Sequence, residues 1–107
     1  MPPVLRGRLS SAADAPARGE RATELAGMGK VVVEQILSGK LDGPVDYRQA
    51  QDEWVVVLEG GAVLEIGGER LDLGPGDWVV LPSGVPHRLV ETTPGTSWLA
   101  VHVHPEG

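Results

Sequence analysis

Residues 74–89 read GPGDWVVLPSGVPHRL, and this stretch decides the fold. Gly74-Pro75-Gly76 is a turn signal, and it opens onto a short apolar run, Trp78 to Leu81. A Pro-rich corner follows, Pro82-Ser83-Gly84-Val85-Pro86, and then His87. Proline lacks the N–H that a sheet ladder needs, so Pro82 and Pro86 mark where one strand stops and the next starts. Gly84 reaches backbone angles closed to other residues and suits a tight corner. His87 therefore opens a strand beside a corner, where a β-barrel presents side chains at its mouth.

The same punctuation runs outward along the chain. Val31–Leu37 is β-branched and strand-like, and Gly39–Asp46 reads as a loop. Trp54–Leu58 ends at Gly60-Gly61, Ala62–Ile66 at Gly67-Gly68, and Glu69–Leu73 at Gly74-Pro75-Gly76. Trp78–Leu81, His87–Glu91 and Ser97–Val103 complete the set. Strands starting about every 8–12 residues with Gly/Pro turns between them predict an all-β sandwich or barrel. No segment has helical periodicity, although Ala22–Met28 could form one short helical turn. Residues 1–21, rich in Pro, Ala, Ser and charge, read as an irregular arm, and 22–107 as the barrel.

Side-chain alternation sorts the faces. Glu53, Val55 and Val57 share one face, and Trp54, Val56 and Leu58 the other. Both faces are apolar, which predicts cover on both sides: the barrel interior on one, and the N-terminal segment or a second copy on the other. On the last strand, Leu99, Val101 and Val103 compete for the core with Trp98, Ala100 and His102.

Gly76, Pro82, Gly84 and His87 stand at the spacing Gly-x5-Pro-x-Gly-x2-His, with Glu91 where an Asn would complete the pattern. This resembles the second signature of the cupin family, and the likeness covers about residues 31–103. The first cupin signature, Gly-x5-His-x-His-x3-4-Glu-x6-Gly, is present in its right half as Glu53 and Gly60. Its two histidines read Tyr47 and Gln49, and its leading Gly has no match. Fifteen residues separate Gly60 from Gly76, the compact form of small bacterial cupins. The resemblance implies an antiparallel double-stranded β-helix, the cupin jelly-roll barrel.

It also implies a site. His87 and Glu53 would bind a divalent ion, Mn, Fe or Zn, with Gln49 and His102 as further ligands. Glu53 or Tyr47 would transfer protons. Glu53 and His87 would open adjacent strands and point into one cavity, with Gln49 and Tyr47 at its mouth. Without an ion, Glu53 and His87 would pair with each other. Plainer readings stand beside each residue. Glu53 could be an exposed strand end, His87 a hydrogen-bonded corner residue, and Tyr47 and Gln49 ordinary loop residues. His104 reads as solvated, and Trp54, Trp78 and Trp98 as packing residues.

Composition narrows the rest. The chain has 107 residues, no Cys and a net charge of -6. Disulfides and thiolate metal sites are excluded, and a nucleic-acid surface is disfavoured. No apolar run approaches the roughly 20 residues that span a bilayer. Arg6 and Arg8 precede no apolar segment, so no secretory signal is expected and a cytoplasmic location is. The expected partners are a small molecule and a second copy of the chain in a homodimer, with no nucleic acid and no membrane. Three functions stay open: a divalent-metal enzyme of dioxygenase, isomerase or lyase type, a metal-free binding barrel, or a structural barrel.

Overall fold

The computed structural model describes residues 3–105; the outermost residues of the expected arm and barrel, 1–2 and 106–107, lie outside them. The strands are β1 (Glu20–Met28), β2 (Val31–Ser38), β3 (Val45–Tyr47), β4 (Asp52–Glu59), β5 (Ala62–Ile66), β6 (Glu69–Leu73), β7 (Trp78–Leu81), β8 (His87–Thr92) and β9 (Thr96–Val103). They form two antiparallel sheets, ordered β1-β2-β9-β4-β7 and β3-β8-β5-β6. The sheets face each other as a jelly-roll barrel. Among the described residues, no helix is long and apolar enough to cross a membrane.

The turn signals place β5, β6 and β7 with the bounds expected from sequence. Gly76 and Gly84 take φ of 88° and 75°, the left-handed region that their turns require. Gly60, at φ 86°, answers to a closer constraint. A Cβ there would lie 2.8 Å from the Thr96 Cα, so β4 and β9 meet only over a glycine.

Three local expectations change. Glu20–Met28 is a strand throughout, not a helical turn over Ala22–Met28. Its side chains are nearly all exposed, so the segment has no apolar stripe to pull it into a helix. Gly29, at φ 61°, turns it back onto the open edge of β2, with Met28 opposite Val31 and Glu20 opposite Ser38. The Gly39–Asp46 loop also ends in a short strand, because β3 pairs Val45, Asp46 and Tyr47 with Leu89, Arg88 and His87.

On β9 the less apolar face turns inward: Trp98, Ala100 and His102 are buried, while Val103 is exposed. Trp98 brings the largest volume on the strand, and its Nε1 finds the Ser38 hydroxyl at 3.0 Å. Filling the barrel and satisfying that N–H outweigh the hydropathy of Leu99 and Val101.

The core is Val55, Val57, Ala62, Leu64, Leu81, Leu89, Trp98 and Ala100. Each large side chain among them contributes about 1.5–3 kcal/mol by leaving water. The outer face of β2 and β9 is covered in part by the N-terminal segment. Gln35, 3% exposed, accepts from the Ser10 N–H and donates to the Ser10 carbonyl and the Ser97 hydroxyl. The outer face of β4 is less protected: Trp54, Val56 and Leu58 are half-buried, so cover on both sides is incomplete in a single chain.

Candidate functional site

A cavity of about 230 Å³ opens between the two sheets. Alternation along β4 and β9 explains which end is polar. The inward residues of β4 are Glu53, Val55 and Val57, and β9 sets His102 opposite Glu53 and Trp98 opposite Val57. Glu53 and Val55 line the cavity; Val57, with no exposure, lies in the packed interior. Tyr47, Gln49, Glu53, His87 and His102 all line this one space. Glu20 and Glu34 do too, and the sequence reading passed over both. The signal for Glu34 was available, since it shares the inward face of β2 with Ile36.

The Pro-rich corner builds the rim. The Ser83 hydroxyl donates to the Ala50 carbonyl at 2.7 Å, and the Ser83 N–H to the Asp52 carboxylate at 2.8 Å. The Gly84 N–H donates to the Gln49 carbonyl at 2.7 Å. The corner thus pins residues 49–52 and fixes where β4 begins. From there the Gln49 amide donates to Glu53 Oε1 at 2.7 Å. Glu53 is 7% exposed, and a carboxylate so buried needs such a donor.

His102 sits between two carboxylates. Its Nε2 lies 2.7 Å from Glu34 Oε1, and its Nδ1 lies 3.9 Å from Glu53 Oε1. Gln51 Nε2 is 3.3 Å from Nδ1. An amide N–H can only donate, so Nδ1 accepts there and Nε2 carries the proton that Glu34 accepts.

The other sheet supplies Tyr47 and His87, directly opposite each other in the β3–β8 register and stacked at 5.4 Å with a 15° tilt. The Tyr47 hydroxyl donates to Glu20 Oε1 at 2.9 Å. Glu20 Oε2 accepts from the Ser38 hydroxyl at 2.6 Å, which in turn accepts from Trp98 Nε1. Burial, then the negative charge and hydrogen bonding of Glu20, and finally the charge of Glu53 hold the Tyr47 phenol far above the ordinary tyrosine value. It stays a proton-bearing donor. His87 Nδ1 is 3.4 Å from the Val85 carbonyl.

Two geometric expectations fail. Glu53 and His87 do not stand on adjacent strands: β4 and β8 belong to different sheets and face each other across the cavity. Nor do they pair with each other. Glu53 takes Gln49, which is nearer along its own segment, and His87 stacks on Tyr47.

A metal site asks for convergent donors, and these side chains do not supply them. Among the described residues, no group of three or more His, Cys, Asp or Glu side chains converges as a metal-binding set. Gln49 turns its amide nitrogen, not its oxygen, toward Glu53. The Tyr47 phenol is committed to Glu20. Glu53 and His87 line the same cavity from different sheets, and His102 is held by Glu34.

The sequence pattern described as the Cupin domain matches residues 32–104. Solved structures of the same shape include a protein of Ralstonia eutropha JMP134 proposed to be a mannose-6-phosphate isomerase. It is 33% identical, covers 92% of this chain and 99% of its own, and has a TM-score of 0.76. KdgF from a Halomonas species is 22% identical over 79% of this chain and 80% of its own, with a TM-score of 0.68. A cupin superfamily protein of Desulfitobacterium hafniense DCB-2 is 20% identical over 94% of both chains, with a TM-score of 0.70. At that level of identity the last two speak for the fold alone. Among curated proteins, none matches the chain.

Proposed function

This chain belongs to the cupin family, and on that premise we propose that it is a small-molecule cupin whose barrel pocket works without a resident metal ion. The observation that carries this is the state of the donor set. Glu53 is satisfied by Gln49, His102 by Glu34 and Gln51, and Tyr47 by Glu20. The cavity is smaller than the roughly 300–1,000 Å³ of ordinary ligand pockets, so its occupant is small. Val55, Leu64, Leu81 and Leu89 give it an apolar wall, and the polar groups on the Glu53 side orient the molecule.

A catalytic version of this reading draws on the convergence of Glu53, Tyr47 and His87 at one cavity. Glu53 would take a proton from the bound molecule, and the Tyr47 phenol would exchange its hydrogen bond to Glu20 for one to an oxygen on that molecule. That chemistry suits an isomerase or lyase. The phosphosugar suggested by the Ralstonia relative would need a cation for its phosphate, and no Lys or Arg among the described residues lines this cavity.

Titration calorimetry on tag-free, metal-stripped protein against a panel of small polyols, amines and hydroxy acids tests the reading. At least one compound should bind, with His87→Ala abolishing the signal and EDTA leaving it unchanged. Binding that appears only after adding Mn, Fe or Zn would overturn it.

The assembly proposed with this function is a homodimer. Trp78 and Val80 on the edge strand β7 are 61% and 51% exposed, beside Trp54 and the half-buried outer face of β4. An apolar edge of this kind invites a second copy. Light scattering at micromolar concentration should give twice the chain mass; a monomer would contradict the proposal.

A further inference from the structure

The cavity's hydrogen-bonding groups are almost all acceptors. Among the described residues, three carboxylates line it, Glu20, Glu34 and Glu53, and no Lys or Arg does. Its donors are spent on the protein: Tyr47 on Glu20, Trp98 on Ser38, His102 Nε2 on Glu34, and one amide N–H of Gln49 on Glu53. The nearby guanidinium groups of Arg48 and Arg88 line a separate outer groove, which shares only Tyr47 and His87 with the cavity. Arg88 is already engaged there by Asp46 at 2.7 Å.

His87 supplies an independent pointer to a ligand. It is only 7% exposed, yet among the described residues its ring has a single hydrogen-bond contact, Nδ1 to the Val85 carbonyl at 3.4 Å. A carbonyl can only accept, so Nδ1 bears the proton and Nε2 of the neutral ring offers a lone pair. No sealed-off side-chain N or O among the described residues lacks a partner, so Nε2 opens onto accessible space, and His87 lines both the cavity and the outer groove.

Building on the metal-free pocket, we propose its ligand class: a small molecule rich in hydrogen-bond donors and free of phosphate or carboxylate, such as a polyol or an amine. Its O–H or N–H groups would donate to His87 Nε2 and to the free oxygens of Glu53 and Glu34. An anionic group placed beside Glu53 would meet like charge with no counter-cation, which lowers affinity by on the order of a hundredfold.

Matched pairs test this on the full-length, tag-free chain: glycerol against glycerol 3-phosphate, ethanolamine against phosphoethanolamine, mannose against mannose 6-phosphate. Dissociation constants come from ligand-observed NMR, with wild type and Glu53→Gln compared after circular dichroism shows both folded. In every pair that binds, the unphosphorylated member should bind at least about tenfold more tightly, and Glu53→Gln should shrink that gap by about tenfold. Tighter binding of the phosphorylated members, or a gap unchanged in Glu53→Gln, overturns the proposal and leaves the metal-free pocket standing. If no member of any pair binds the metal-stripped protein, the pocket reading falls and this inference with it.

Discussion

Strand β4 carries two environments on one face. At one end Val57 is fully buried opposite Trp98, in the packed interior. Four residues earlier Glu53 is nearly as buried, opposite His102, but beside a cavity. The backbone pairing is the same. At the closed end apolar burial is pure gain, whereas at the open end a carboxylate is kept out of water at a cost that Gln49 offsets only in part. The closed end holds the barrel together, and the open end keeps polar groups beside a cavity at a cost in stability.

Substitutions at the closed end should therefore cost most. Trp98→Ala should lower unfolding free energy by about 3–5 kcal/mol, through the cavity it leaves and the lost bond to Ser38. Denaturant titration reads this directly; a loss under about 1 kcal/mol would show that the packed end is not the keystone. Gly60→Ala should cost about 1–3 kcal/mol by the same assay, because the new Cβ meets the Thr96 backbone at a positive φ.

The open end should be softer. His102→Ala leaves the Glu34 carboxylate without its partner and should cost about 1–3 kcal/mol. Glu53→Gln, which removes charge but keeps shape, should change stability by less than about 1 kcal/mol while weakening ligand binding. If Glu53→Gln cost as much as Trp98→Ala, the division between the two ends would not hold.

How far this was visible in the chain follows the same division. The closed end follows period-2 apolar spacing and Gly/Pro turns, so β4 to β8 and the inward set Glu53, Val55, Val57 could be read directly. β1 could not be: its side chains are exposed and it is a strand because β2 offers an edge, a long-range cause with no local signal. β9 misled because hydropathy favoured Leu99, Val101 and Val103, while the interior needed the volume of Trp98 and the polarity of His102. Glu53, His87, Tyr47 and Gln49 could be named from signature positions and do line one cavity. Their partners depend on register across strands far apart in sequence, so Gln49 on Glu53, Glu34 on His102 and Glu20 on Tyr47 appear only in three dimensions.

The smallest expected effect sharpens the picture of the rim. Tyr47 is the chain's single tyrosine, so tyrosinate absorbance near 295 nm reports it alone. Its value is raised above 10.0 in the folded protein. The unfolded chain therefore loses its proton first as pH rises, and the phenol's contribution, complete below about pH 10, fades above it. Folded wild type should show no tyrosinate at pH 10, and Glu20→Gln should bring its appearance to lower pH. A midpoint near 10 in the folded protein would mean that Glu20 and burial do not hold the phenol.

The central claim is that the open end serves a small molecule and not a resident ion. Metal content tests it most directly. Tag-free protein incubated with Mn, Fe(II) and Zn, then passed through gel filtration, is assayed by mass spectrometry beside His87→Ala. Far less than one ion per chain is expected in both. Close to one ion per chain in wild type, lost in His87→Ala, would contradict it.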